Sequence, residues 1–380
     1  MDMKEGWEYK KLGEVAYYPT NRISANMVDE NNYVGVDNLI KDRGGKNTAI
    51  TFPEDGNCIE YNDGDVLIGN IRPYLKKIWL ANMTGGASGD VLILRPNNKD
   101  LLCSNYLYWC LANDSFFEYD MVHSKGAKMP RGSKTDILKY IIPVPPYFLQ
   151  QRIASELDLL NGIIEKEKAQ LEELDKLAQS IFYDMFGDPV TNEKRWNVRK
   201  LEDIASSKIG LTYKPSDICD DGIIVLRSSN IQNSHLDFKD VVRVNCNIKP
   251  NQWVQDGDIL MCSRNGSFKL VGKVAMIENL TERMSYGAFM TIIRSEYNSY
   301  LFAFFKSPAF RNQLGCAGTA TINQITVKML NDIRIPLPPL SLQKEFADKI
   351  SVVEAMKAKV RQSLAEAEQL FNSRMDYYFN

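Results

Sequence analysis

Few residues in this 380-residue chain are arranged for bond-making chemistry. Its two histidines, His123 and His235, lie in unrelated contexts and support neither a His-based triad nor a zinc site. The nearest approach to a phosphate loop, DRGGKN (residues 42–47), lacks the GxxxxGK[ST] spacing that wraps backbone N–H groups round a phosphate. No GxGxxG turn is present. VPPY (residues 144–147) has the shape of the Asn/Asp-Pro-Pro-Tyr/Phe motif of amino-methyltransferases, without the polar first residue that would hold the amine. The acidic pairs Asp63/Asp65 and Asp256/Asp258 sit in Asp-Gly-Asp turns with no lysine at nuclease spacing, so they read as turn residues.

What remains suits recognition. SKGAKMPRGSK carries Lys125, Lys128, Arg131 and Lys134 in a Gly-containing loop, and Arg72, Lys76 and Lys77 follow the first Gly-Asp turn. Arg264 and Lys269 follow the second such turn, and Arg227 precedes Asn230, whose counterpart is Asn38. GCAGTATINQ (residues 315–324) offers Thr319, Thr321 and Asn323 where the earlier loop offers cations. Lys, Arg and hydroxyl groups contact phosphates, whereas Arg, Lys, Asn and Gln read base edges. Taken one at a time, such loop residues are equally well explained as solvated surface. Two loops that differ while their flanks match are what two related readers of different sequences would show.

The flanks match because the chain is duplicated. IIPVPPYFLQQRI (residues 141–153) returns as RIPLPPLSLQKEF (residues 334–346), 193 positions later. Trp7, Lys11, Leu12, Glu14 and Val15 align with Trp196, Lys200, Leu201, Asp203 and Ile204. DGDVLIGNIRP answers DGDILMCSRNG, and YLYW answers YLFAFF. A period this long means repeated domains, not a solenoid. Gly-Asp turns before β-branched runs predict a curved sheet in each copy. Residues 104–121 predict a helix with Ser104 as a candidate N-cap. The proline stretch cannot be helical and reads as a stiff spacer.

After each spacer comes a heptad seam. Ile153, Leu157, Leu160, Ile164, Glu167, Leu171, Leu174, Ala178, Ile181 and Met185 follow unbroken 4,3,4,3 spacing. Its counterpart is Phe346, Ile350, Val353, Lys357, Val360, Leu364, Ala367, Phe371, Arg374 and Tyr378. Glu167 and Lys357 place opposite charges near mid-seam, able to help fix register if they lie close. Gly187 and Pro189 end the first helix. The expected organisation is a first domain at 1–147, a helix at 148–187, a second domain at 188–340 and a helix at 341–380.

Composition is that of a globular protein, 44% apolar and 25% charged, with net charge −2. Charge is uneven: residues 1–147 carry −2, 148–190 carry −5, 191–340 carry +5 and 341–380 carry 0. An anion site must therefore be a local patch. No apolar run approaches the roughly 20 residues that cross a bilayer. The N-terminal residues lack a signal-like apolar core, and the seven cysteines form no CxxC pair. The expectation is a cytoplasmic protein.

In the order of its duplicated parts (the Trp and Lys-Leu opening, the GDVL/GDIL turns, IPVPP and IPLPP before each helix, FGDP after the first) the whole chain resembles the specificity subunit of type I restriction–modification systems. The resemblance implies an α+β fold in which two pseudo-repeated target-recognition domains alternate with two long helices packed as an antiparallel coiled coil. It implies double-stranded DNA as ligand, each domain reading half of a bipartite asymmetric site while the helices set the gap. It implies two modification (methyltransferase) subunits as partners, with restriction subunits joining some complexes, and no catalysis or metal here. S-adenosylmethionine is expected in the modification subunit. Two other readings stay open: a free-standing methyltransferase or nuclease with unrecognised motifs, and a scaffold that has lost DNA reading.

Overall fold

The computed structural model describes residues 4, 6–314 and 324–380. It divides into two compact units, one of residues 1–169 with 361–380 and one of residues 170–360. Each long helix therefore contributes to both units.

The two units share the topology of one four-stranded sheet. The first has a four-stranded antiparallel sheet in the order Ala16–Tyr17, Val91–Pro96, Val66–Gly69, Ile78–Leu80. The second has the same order in Ser206–Ile209, Met290–Arg294, Ile259–Cys262, Val274–Met276. A further sheet in each includes a parallel pair, Tyr33–Val34 with Gly85–Ala87 and Ile218–Leu226 with Met284–Tyr286. The Asp-Gly-Asp turns need their central residue: Gly64 and Gly257 both have φ +84, where an L side chain is strained. The acid after each glycine is buried and structural. Asp65 accepts the Asn62 N–H at 2.8 Å and chelates Arg95 at 2.7 and 2.6 Å. Asp258 accepts the Gln255 N–H at 2.8 Å and chelates Arg294 at 2.7 and 2.7 Å.

The repeated proline stretch is more than a spacer. Ile141–Val144 pairs antiparallel with Glu8–Lys11, and Arg334–Leu337 with Asn197–Lys200. This pairing explains why the Trp and Lys-Leu opening is duplicated along with the prolines. In a two-stranded ribbon both strands are edges, where proline's missing N–H is tolerated. Tyr106 and Tyr300 hold the ribbons by donating their hydroxyl groups to the Pro143 and Pro336 carbonyls. At the start of each long helix a buried glutamine donates to a proline carbonyl: Gln150 to Pro145 at 2.9 Å, Gln343 to Pro338 at 2.8 Å.

The helix expected at residues 104–121 is two, Ser104–Leu111 and Asp114–His123. Asn113 is extended between them, and Cys103, not Ser104, is the N-cap. The second unit breaks its helix likewise, at Ser307 before Pro308.

The long helices run from Tyr147 to Phe186 and from Leu340 to Phe379, 40 residues each, or about 60 Å. Gly187, at φ +75, closes the first. Of the residues expected to pair, Ile153, Leu157, Leu160, Ile164, Leu174, Phe346 and Val353 are buried. Leu171, Ile350, Val360, Leu364 and Phe371 are half-buried. The seam departs from strict heptads near its ends. Phe182 and Phe186 are buried where Ile181 and Met185 were expected, and Met375 and Phe379 join the buried face beside Arg374 and Tyr378. A straight helix at 3.6 residues per turn drifts past a 3.5 repeat by nearly one residue in four heptads. The drifted residues close the cores: Phe379 lies 5.7 Å from Tyr106, and Phe186 lies 4.9 Å from Tyr300, ring centroid to centroid. Glu167 and Lys357 find separate partners. Glu167 accepts from Ser363, and Lys357 pairs with Asp175 and Glu354, each at 2.7 Å.

Candidate nucleic-acid interface

In the first unit the strand Val66–Gly69 ends in a loop that is tied to the basic loop. Ile71 forms an isolated antiparallel bridge with Arg131, and the Arg72 N–H donates to the Pro130 carbonyl at 2.8 Å. Arg72 is held at φ 55, and its side chain is exposed. Lys125, Lys128 and Lys134 are exposed around the same loop. Among the described residues, none of these four cations has a side-chain hydrogen bond or ion pair. Arg131 is partnered, with one guanidinium nitrogen 3.2 Å from Asp90. Exposed Tyr74 lies alongside.

The second unit is built the same way. Arg264 forms an isolated bridge with Gln324, so it occupies the place of Ile71, and Asn265 occupies that of Arg72. The two arginines follow equivalent turns from adjacent positions. Arg264 is exposed and stacks on Phe289, its guanidinium carbon 5.3 Å from the ring centroid. Lys269 is exposed without a partner among the described residues. Thr319, Thr321 and Asn323 lie outside the described residues.

Other candidates are committed elsewhere. Asn38 is buried. Its side-chain oxygen accepts the Gly35 N–H at 2.7 Å, and its amide donates to the Tyr33 and Asn47 carbonyls at 3.0 and 2.9 Å. Asn230 repeats this with the Arg227 N–H at 2.8 Å and the Asp237 and Asp240 carbonyls at 2.9 Å. Both amides brace a turn, so neither has a donor left for a base edge. Lys76 pairs with Asp114 at 2.8 Å, and Lys77 donates to the Val36 carbonyl at 2.6 Å. Arg227 pairs with Asp240 at 2.8 Å. These three cations tie the domains' own loops together.

The structure also brings in residues the sequence did not single out. Beneath the basic loop, Asp120 and Asn70 are buried, and neither Asp120 oxygen nor the Asn70 side-chain oxygen has a hydrogen-bond partner among the described residues. A Cβ on Gly132 would come within 2.3 Å of Asp120 Oδ1 and 2.8 Å of Asn70 Oδ1, so any larger residue here would have to displace those two side chains. Burial pushes the Asp120 carboxyl up to about 6, against an opposing pull from His123. Asp90 and Phe289 were hidden for another reason. The copies are offset by 193 at Asn70 and Ser263 but by 199 at Asp90 and Phe289, so linear alignment separates them. Their shared backbone role reveals the match, since the Asp90 carbonyl accepts the Asn70 N–H and the Phe289 carbonyl the Ser263 N–H, both at 2.9 Å.

The model for the type I restriction modification DNA specificity domain matches twice, at residues 4–176 and 193–369. The chain belongs to this specificity family. Each half is one such domain. Among its relatives, the type I restriction enzyme MjaVIII specificity subunit of Methanocaldococcus jannaschii is 24% identical over 96% of this chain and 91% of that protein. The EcoKI specificity subunit of Escherichia coli (strain K12) is 32% identical over 46% of this chain, a match that spans 39% of the relative's own length. The fold resembles the type I S subunit from M. genitalium, with TM-score 0.62 and 13% identity over 100% of this chain and 98% of that one. It also resembles a chain from a structural study of type I R-M complex assembly, with TM-score 0.54 and 22% identity over 100% and 99%. No helix among the described residues is long and apolar enough to cross a membrane. Nor do the described residues contain a cluster of three or more His, Cys, Asp or Glu able to hold a metal.

Proposed function

We propose that this chain is the DNA-recognition subunit of a type I restriction–modification complex and catalyses no reaction itself. Each domain reads one half of a bipartite, asymmetric site in duplex DNA. The observation that carries this reading is duplication with divergence in the loops that leave the shared four-stranded sheet. Turns, ribbons and braced asparagines repeat between the units, while the paired loops that follow Val66–Gly69 and Ile259–Cys262 differ in chemistry. The base-edge candidates are Arg72 and Arg264, with Lys125, Lys128, Lys134 and Lys269 as phosphate candidates.

The long helices act as an antiparallel coiled-coil spacer that sets the gap between half-sites. Supporting contacts are Glu156 with Arg374 and Glu167 with Ser363 in the first unit, and Asp175 with Lys357 in the second. Partner numbers fall along one helix as they rise along the other. Two modification subunits dock on these helices. Exposed Leu159, Ile163 and Leu177 recur at equivalent positions as exposed Val352, Met356 and Leu370, which suits two copies of one partner. S-adenosylmethionine and adenine methylation belong to those partners, restriction subunits join some complexes of this kind, and the complex works in the cytoplasm.

Methylation mapping of DNA from cells with and without this chain tests the reading, and a bipartite motif should vanish with the chain. Exchanging residues 191–335 for those of a related subunit should alter one half of the motif only. A motif that persists without the chain, or two halves that change together, would refute it.

A further inference from the structure

The contact between Arg264 and Phe289 extends this DNA-reading proposal, and rests on it. Phe289 stands just before the strand Met290–Arg294 with 58% of its surface exposed. Its carbonyl accepts the N–H groups of Ser263 at 2.9 Å and Arg264 at 3.1 Å. These bonds place Phe289 next to the arginine, and the guanidinium lies within cation–π range of its ring at 5.3 Å. A lone exposed Phe is ordinary surface. This one is clamped at the candidate interface, outside the buried clusters of its unit, against an arginine with no carboxylate partner among the described residues.

The first unit shows what the position does. Asp90 has the equivalent place, with its carbonyl on the Asn70 N–H and its carboxylate on Arg131. In both units this position partners the arginine of the loop pair. In one it offers charge, and in the other an aromatic face.

We propose that Phe289 is a base-contacting, specificity-determining residue of the second domain. Arg264 takes the O6 and N7 edge of a guanine in the major groove, and the exposed Phe289 ring packs on the C5-methyl group of thymine in a neighbouring base pair. Bidentate Arg to guanine and apolar contact with the thymine methyl are the side-chain pairings these groups can make. Stacking on the ring holds the guanidinium plane while the far part of the ring stays free for the methyl. Asp90 cannot make that contact. It orients Arg131 instead, so the corresponding step of the first half-site should show no methyl dependence.

The test uses the methylating complex purified from its host through a tag on this chain, after its motif has been mapped. Each thymine of the half-site assigned to the second domain by the exchange experiment is replaced in turn by uracil, which lacks only the C5-methyl. The wild-type complex should methylate about four-fold more slowly at one of these positions, the factor that burial of one methyl group is worth. Phe289→Ala should be slower on thymine and equal on thymine and uracil. Phe289→Leu, which keeps an apolar surface, should retain a thymine preference, and Asp90→Ala should leave every ratio in this half-site unchanged. Equal thymine-to-uracil ratios in wild type and Phe289→Ala at every position would overturn the inference, as would a half-site without an A·T pair. If Phe289→Ala is too slow to measure, absence of thymine sensitivity in wild type or its loss in Phe289→Leu overturns it. A wild-type complex indifferent to the whole half-site would instead refute the DNA-reading proposal beneath it.

Discussion

Lys357 Nζ lies 2.7 Å from Asp175 Oδ1, joining the two long helices within the second unit, and only 2% of the lysine side chain is exposed. Glu354 holds the same ammonium at 2.7 Å. Both acids reach solvent while the lysine does not, so the consequences of mutation are asymmetric. Removing the cation leaves two acids that reach solvent, Glu354 still 3.6 Å from His235, whereas removing the acids strands a buried charge. Lys357→Met should leave stability within about 1 kcal/mol of wild type or raise it, and Asp175→Asn with Glu354→Gln should cost about 3–5 kcal/mol. Denaturant unfolding of the three proteins measures this. A Lys357→Met loss as large as that of the double variant would show that the ion pair itself, not avoidance of an orphan charge, stabilises the helices.

The arginines with no ion pair among the described residues should separate from the ion-paired cations. Arg72→Ala should relax one half-site and Arg264→Ala the other, each by about 1–3 kcal/mol of discrimination if a bidentate base contact is lost. Their melting temperatures should stay near wild type, since neither side chain has an ion pair among the described residues. Lys76→Ala and Arg227→Ala should do the reverse, lowering Tm while the motif stays unchanged, because these cations pair with Asp114 and Asp240. Motif mapping and thermal melting on the same four variants settle it. A fall in Tm for Arg72→Ala with no change of motif would make that arginine structural.

Periodicity and repetition made much of the fold legible. The heptad spacing located both long helices, and the duplicated proline stretch located their starts, because both patterns are local. Burial was not legible. An asparagine such as Asn38 is suited equally to a base edge and to bracing a turn, and only its three hydrogen bonds decide between them. The insertion that shifts the offset from 193 to 199 separated Asp90 from Phe289 in the alignment, so the partners of the loop arginines stayed hidden. Asp120 gave no signal at all. Its burial beside Asn70 and Gly132 follows from the fold, since these residues lie 50 and 12 positions away along the chain.

That buried carboxyl makes stability depend on pH. Burial raises the Asp120 pKa from 3.8 to about 6. Between these values the folded protein binds more protons than the unfolded chain, so stability falls as pH rises and levels off above about 6. Asp120→Asn removes the burden and sets amide donors near the unpaired Asn70 oxygen. The variant should match wild type near pH 4 and exceed it by on the order of 2 kcal/mol near pH 7. Urea titrations at both pH values read the difference. A stabilisation that does not grow with pH would mean that Asp120 does not titrate in this range.

The spacer proposal gives a prediction about DNA geometry. Asp175 faces Lys357, and in an antiparallel pair a step forward on one helix is a step back on the other, so the level of Glu172 falls near Lys359. A heptad inserted after Glu172 keeps the apolar stripe continuous, whereas four residues would rotate it. Alone, it leaves the partner helix short. A matching heptad after Lys359 restores the pairing and lengthens the spacer by about 10 Å at 1.5 Å per residue. If the helix axis follows the DNA, that is about three base pairs at 3.4 Å each. The added turn also carries the second half-site partly round the duplex, so some activity should be lost. The matched double insertion should methylate the same two half-sequences across a longer gap, and should be more active than either single insertion. Sequencing of the methylated motif reads the gap directly. An active double insertion with the original gap would show that helix length does not set the spacing, and the coiled-coil spacer would have to be given up.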